Sequence, residues 1–332
     1  MIPYHGCQYR PGKGHYESWF LRANAPDTAQ AFWIRYTLFV PENSKRPSLG
    51  ELWAIWFDGS RNQVVAVKDE LPLAECEFGS EAMDVRIGQS TLHQRVLSGC
   101  AELGNNRISW SLNHEGGTEP LLFLPENLYQ AALPKAKSVV SRPLATFRGE
   151  LHVNGERHAI DGWRGSENHN WGSKHTDQYA WGQVAGFDER PDAFLECITA
   201  RVKIGPVPSP WLTIACLKLG DETLLFNRIG TALRARGRYD FFDWQWRTGS
   251  GSDVLEASIS APREHFAALT YYNPPGGAKT CLNSKIGRCH LTLKRAGGAQ
   301  IELNSAHGAA FEILTDSNRH GVPMAVPGTI RP

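Results

Sequence analysis

The sequence predicts an all-β protein built as two barrel-like halves, and three observations carry that prediction. Short runs in which apolar and polar residues alternate with period two recur along the whole chain, each bounded by Gly, Pro, Asn or Asp. Only one or two stretches have the pattern of a helix. Eleven Trp, 32 Gly and 20 Pro against three Met suit a chain of strands and turns. Without a residue-level repeat at a fixed period, a propeller or solenoid is disfavoured. The 332 residues allow two domains. We expect them at 1–145 and 146–332, each with enough strands to close a barrel.

Taken in order, the first fifteen residues read as an irregular arm. Tyr16–Arg22 is a short run closed by Asn24-Ala25-Pro26-Asp27. Ala31–Val40 is the clearest early strand, with Phe32, Ile34, Tyr36, Leu38 and Val40 on one face. Glu51–Phe57 and Gln63–Lys68 flank Asp58-Gly59-Ser60 as a hairpin. Runs at Glu75–Phe78, Thr91–Leu97 and Arg107–Leu112 follow, and Leu121–Val140, with Pro125 and Pro134, reads as a loop or short helix. Ala145–Val153 and Arg157–Trp163 flank Asn154-Gly155, the strongest short-range hairpin signal. Beyond the centre come Ala193–Ile204, Trp211–Leu219, Thr223–Phe226, Arg238–Arg247, Asp253–Ser260, Ala267–Tyr272, Arg288–Arg295 and Gln300–Asn304. After Ile313 the tail turns polar and reads as extended or loosely ordered.

Composition excludes several classes of function. With 35 basic and 34 acidic residues and a net charge of +1, nothing attracts nucleic acid or an anionic membrane at long range. The longest apolar runs are far too short to span a bilayer. The N-terminal sequence MIPYHGCQYRPGKG lacks the apolar segment of a secretory signal. Seven cysteines without CxxC spacing read as reduced, mostly buried thiols, so a cytoplasmic location is expected.

The stretch Asp161–Phe187 concentrates the chemistry. Glu167, Asn168, His169, Asn170, Trp171 and Gly172 stand side by side, with Asp161, Arg164, Lys174, His175 and Asp177 close by. Two readings compete: a reactive site, or an elaborate turn, since Asn, Gly, Ser and Asp also dominate turns. A strand follows, with Tyr179, Trp181, Gln183, Ala185 and Phe187 on one face. The other face, Ala180, Gly182, Val184 and Gly186, is almost bare, which marks close approach by another backbone or a ligand. Metal and nucleotide chemistry lack support. His169, His175 and Asp177 have no HxH or HExxH spacing, and phosphate-loop, dinucleotide and G-x-S-x-G signatures are missing. We expect no metal and no cofactor.

The run N-H-N-W-G at Asn168–Gly172, followed by Tyr179-Ala180-Trp181-Gly182-Gln183-Val184, resembles the carotenoid 1,2-hydratase (hydroxyneurosporene synthase) group. That broad superfamily includes attachment-gene-H-like proteins and, more distantly, tocopherol cyclases. The resemblance extends from Glu17-Ser18-Trp19-Phe20 through Cys281-Leu282-Asn283-Ser284-Lys285. It implies two lipocalin-like β-barrels with few helices, the second carrying the motif near its start. It also implies chemistry on a hydrophobic polyene. The hydratases carry an aspartate where this chain has Asn168, and an amide cannot protonate a double bond.

Three carboxylates are candidates for the missing acid: Glu167 in the motif, Asp161 on the preceding arm, and Glu196, which shares a strand face with Phe194 and Ile198. An apolar pocket would keep such an acid neutral by penalising its charged form. Asn168 and His169 complete the catalytic candidates. Asn170, Trp171, Tyr179, Trp181, Gln183 and Trp244 are the candidates for substrate binding. The expected function is cofactor-independent, acid-assisted hydration, dehydration or cyclisation of a hydrophobic polyene, terpenoid or polyketide. The alternatives are a non-catalytic carrier of a lipid or isoprenoid, as lipocalin-like barrels permit, and, more weakly, a Trp-rich sandwich that binds or cleaves glycans.

Overall fold

The computed structural model describes residues 4–43, 46–204 and 207–328. Most of the described chain is built into two large, almost wholly antiparallel sheets. In the first, the strands run in the order Gln63–Pro72, Leu49–Asp58, Gln30–Val40, His15–Asn24, Glu156–Gly172, Ala136–Val153, Asn106–Gly116, Val96–Leu103, Ser90–His93, Asp84–Ile87 and Cys76–Phe78. In the second, the order is Glu222–Phe226, Leu212–Leu219, Ala193–Arg201, Gln178–Ala185, Gln300–Thr315, Ala278–Lys294, Asp253–Ser260, Asp243–Ser250 and Arg236–Tyr239. The α-helix Ile229–Arg234 is short, and among the described residues no helix is long and apolar enough to cross a membrane.

The pairing explains the local sequence. Val153 and Glu156 close the hairpin at Asn154-Gly155, whose φ values of 52° and 88° need residues that tolerate a left-handed backbone. His15–Asn24 pairs along its length with Glu156–Gly172, from Tyr16 with Gly172 to Asn24 with Arg164. Gly165 is required there, because a Cβ would come within 1.8 Å of the Arg22 carbonyl oxygen.

Several expectations need correction. Ala136–Val153 and Glu156–Gly172 belong to the first sheet, so the change of sheet falls at 173–177 rather than at 145/146, and the N-H-N-W-G run ends the first sheet instead of opening the second. The polar stretch before Gly172 is strand, not turn. Thr91–Leu97 is split between two strands by a turn in which Gln94 has φ 51°. Arg238–Arg247 folds back on itself, with Tyr239 paired to Trp244. Leu121–Val140 holds a two-residue strand and a single 3-10 turn before the strand that starts at Ala136. In the tail, Met324–Val326 pairs in parallel with Ala267–Tyr272.

Each sheet wraps its own core. Trp19, Leu21, Phe32, Ile34, Tyr36 and Trp56 lie inside the first; Ala180, Val184, Trp244, Ile259 and Phe311 lie inside the second. A third apolar layer lies between the barrels, with Phe20, Trp33, Trp53 and Phe57 from the first meeting Trp181, Leu269, Tyr271 and Leu314 from the second. Strands such as Leu49–Asp58 are therefore buried on both faces. Each large side chain removed from water in this layer stabilises the docked pair by roughly 1.5–3 kcal/mol.

Candidate functional site between the barrels

Strand alternation divides the motif between two environments. Ser166 and Asn168 turn toward the second barrel, whereas Glu167, His169 and Trp171 turn into the first. The same alternation sends Phe20, Arg22 and Asn24 into the interbarrel layer and keeps Trp19, Leu21 and Ala23 in the first core.

A buried polar network crosses this layer, with Gln183 at its centre. The Gln183 side-chain oxygen Oε1 accepts from Arg22 Nε at 2.8 Å and from Ser166 Oγ at 2.6 Å. Its amide nitrogen donates to Asn168 Oδ1 at 2.8 Å and to Glu196 Oε2 at 2.6 Å. The other Glu196 oxygen accepts from the Trp181 indole at 2.8 Å. Glu196 is 1% exposed, and Phe194 on its own strand face packs with Leu121, Phe123, Val140 and Cys216. Burial pushes its carboxyl up to about 7, against the opposing pull of Gln183, Trp181 and the Arg22 charge. It is thus a carboxylic acid that exchanges its proton near neutrality. Burial also lowers Arg22, to about 10, although Glu196 favours its charge.

Along the same layer, Lys285 Nζ donates to Glu312 Oε1 at 2.7 Å and to Asn283 Oδ1 at 2.5 Å. It lies over the Trp33 and Trp181 rings at 5.6 and 5.5 Å. Burial lowers the Lys285 amine, and Glu312 opposes the shift. The two rings thus help to hold the buried ammonium.

On the inner side of the motif strand, His169 is stacked between Trp19 and Trp171, with ring centroids at 4.9 and 4.7 Å. Its Nε2 meets Glu17 Oε1 at 2.8 Å, and its Nδ1 meets the Tyr4 carbonyl oxygen at 2.6 Å. Burial alone would raise Glu17, but hydrogen bonds from His15, His169 and the Gln8 amide hold it well below the usual carboxylate range.

The structure therefore brings Asn168, Trp181, Gln183 and Glu196 together between the barrels. Tyr179 packs against the same layer. Glu167, His169 and Trp171 are separated from this group by the backbone of their own strand. Trp244 lies inside the second barrel, donating to Thr199 Oγ1 at 3.0 Å. Asp161 is a correction: its side chain is 83% exposed and pairs with Arg148 on the surface, away from the interbarrel layer. Asn170 Oδ1 is buried without a hydrogen-bond partner among the described residues. His175 stacks on Tyr16, and Asp177 accepts from Lys174 and the Lys203 amide. Among the described residues no group of three or more His, Cys, Asp or Glu side chains is arranged to hold a metal ion.

Arg22, Glu312 and Lys285 were not among the sequence candidates. Arg22 lies two residues beyond the stretch Glu17–Phe20, and Lys285 ends Cys281–Lys285, the two ends of the resemblance, which was the available signal. Two surface hollows lie elsewhere, one of about 730 Å³ beside Trp211, Arg236 and Arg238, and one of about 300 Å³ beside Cys7, Leu73 and Cys76.

No family model matches the chain. It is 24% identical over 316 residues to the uncharacterized proteins MT0513 and Rv0493c of Mycobacterium tuberculosis, strains CDC 1551 / Oshkosh and ATCC 25618 / H37Rv, covering 92% of this chain and 91% of each relative. Among solved structures, an AttH-type protein from Nitrosomonas europaea superposes with a TM-score of 0.57 at 14% identity, covering 95% of this chain and 98% of that one. Kievitone hydratase from Nectria haematococca gives 0.54 at 13%, covering 92% and 90%. CghA gives 0.56 at 12%, covering 94% of both. At these identities the likeness shows the fold alone, the lipocalin-like pair of β-barrels.

Proposed function

We infer that this protein is a cofactor-independent enzyme that uses Glu196 as an acid to hydrate, dehydrate or cyclise a hydrophobic polyene, terpenoid or polyketide between its two barrels. One observation carries the reading: a fully buried carboxyl, poised near neutrality, shares the interbarrel layer with Asn168, Gln183 and Trp181. Proton transfer to an alkene or to an allylic hydroxyl needs an acid that is neutral at working pH and can release its proton there. Gln183 and Trp181 fix the carboxyl by donating to both of its oxygens. They also stabilise the carboxylate left once the proton has gone. That a hydratase shares the fold supports the reaction class.

The test is incubation of the protein in D2O with a panel of polyenes, allylic terpenoid alcohols and linear polyketides, followed by mass spectrometry. Hydration, dehydration and cyclisation differ in product mass and in deuterium uptake. Turnover is expected to fall by roughly tenfold or more in Glu196→Gln, the low end of what a positioned acid contributes. Equal turnover in the variant removes Glu196 from this role. An unchanged ligand that copurifies, with no product from any substrate, makes the protein a carrier.

A further inference from the structure

On the inner side of the motif strand, four polar side chains meet that the proposed reaction does not use. Glu167 is fully buried, and neither of its oxygens has a hydrogen-bond partner among the described residues. Three basic groups surround it: His114 Nε2 at 3.1 Å, Arg142 Nε at 3.6 Å and His5 Nδ1 at 3.9 Å. All three nitrogens are buried, and they too lack a hydrogen-bond partner among the described residues, as does His114 Nδ1. The groups are close enough to attract, but their hydrogen-bonding directions do not meet. Leaving such groups unsatisfied is costly, more so when they are charged. Native proteins keep few of them without an occupant or a task. Glu17, a buried acid on the same face of the neighbouring strand, shows the contrast, since it accepts from His15, His169 and the Gln8 amide.

The chemistry of the four groups defines what fits them. Glu167 only accepts when ionised, Arg142 only donates, and a histidine ring does either. The carboxylate and the guanidinium balance in charge, so a neutral group enters at the lowest electrostatic cost. A hydroxyl both donates to a carboxylate and accepts from an N–H. The walls suit an apolar body behind it: His114 shares its strand face with Trp110 and Leu112, and its ring tilts against Phe147 at 5.1 Å. His5 comes from the N-terminal arm, which is held against the first sheet by the Cys7 amide bonded to the Gly79 carbonyl at 2.8 Å.

We propose that the first barrel contains a second ligand site, covered by the N-terminal arm, in which Glu167, His114, Arg142 and His5 bind the hydroxyl of a neutral phenol or alcohol. It stands independently of the reaction assigned to Glu196.

The test is titration of the full chain with phenol and, separately, with cyclohexanol, followed by calorimetry and by amide NMR. Saturable one-to-one binding of at least one probe is expected, at least tenfold weaker in Glu167→Gln and retained in Glu196→Gln. If Glu167→Gln lacks a native amide spectrum, His5→Ala replaces it and must weaken binding in the same way, since His5 lies outside the barrel strands. Absence of saturable binding by both probes overturns the proposal and leaves buried solvent as the occupant. Binding lost in Glu196→Gln but kept in Glu167→Gln also overturns it, by placing the probe between the barrels.

Discussion

Asn168 and Glu196 stand on strands of different sheets, yet one amide nitrogen joins them: Gln183 Nε2 donates to Asn168 Oδ1 at 2.8 Å and to Glu196 Oε2 at 2.6 Å. Where the resembling hydratases carry a carboxylate, this chain has a carboxamide, and a carboxyl reappears two hydrogen bonds away on the facing barrel.

Gln183 should therefore be a large contributor to stability. Gln183→Leu leaves Arg22 Nε, Ser166 Oγ, Asn168 Oδ1 and Glu196 Oε2 each short of a buried partner. At about 1–3 kcal/mol for each group left unsatisfied, and less than additively, we expect a loss of several kcal/mol in urea unfolding. A loss below about 1 kcal/mol would show that the network relaxes at little cost.

The pH dependence of stability has a definite sign. The Glu196 carboxyl titrates at about 7 in the folded protein, against 4.5 as its ordinary value. Below 4.5 it is protonated in both states, and its contribution is present in full. As pH rises toward 7 the unfolded chain releases the proton first, so stability falls, on the order of 3 kcal/mol by linkage. Glu17 acts in the opposite sense: its folded value is depressed, so its contribution is present above 4.5 and is lost as pH falls toward 2. Urea midpoints measured from about pH 3 to about 9 should show Glu196→Gln flattening the neutral slope and Glu17→Gln flattening the acid one.

Gly182 should not tolerate a side chain. An added Cβ would lie 2.4 Å from Ile259 Cδ1 and 3.0 Å from the Trp244 ring, both in the second core. Gly182→Ala is expected to cost about 1–3 kcal/mol as overpacking. A neutral result would mean that Ile259 has another rotamer available.

Lys285 and Glu312 should be costly to separate and cheaper to remove together. Lys285→Met or Glu312→Leu alone leaves a buried charge uncompensated, at about 3–5 kcal/mol, whereas the double variant should lose clearly less than the sum. Additive losses would mean that the two charges are held by other partners.

Much of the fold was legible because turn chemistry and period-two alternation are local properties. The Asn154-Gly155 hairpin and the strand at Ala31–Val40 required no tertiary knowledge. The bare face at Gly182 suggested approach by another backbone or a ligand, but the side chains of Ile259 and Trp244 pack there, as part of the second core. Alternation also grouped Glu196 with Phe194, but it could not say that another barrel covers that face. For the same reason the polar run at Glu167–Gly172 resembled a turn. Asn168 and His169 find their partners across a barrel interface and inside a core, on strands up to about 150 positions away in sequence, as with Glu17 and His169. Asp161 failed as a candidate because nearness in sequence to the motif does not bring burial.

Whether Glu196 is a buried acid poised near neutrality is open to one direct measurement. Carboxyl 13C shifts should be followed through a pH titration, with the Glu196 resonance assigned by its loss in Glu196→Gln. The predicted midpoint is about 7, as burial against Trp181 and Gln183 requires. A midpoint near the ordinary 4.5 would show a carboxyl already ionised at neutral pH and would contradict the assignment.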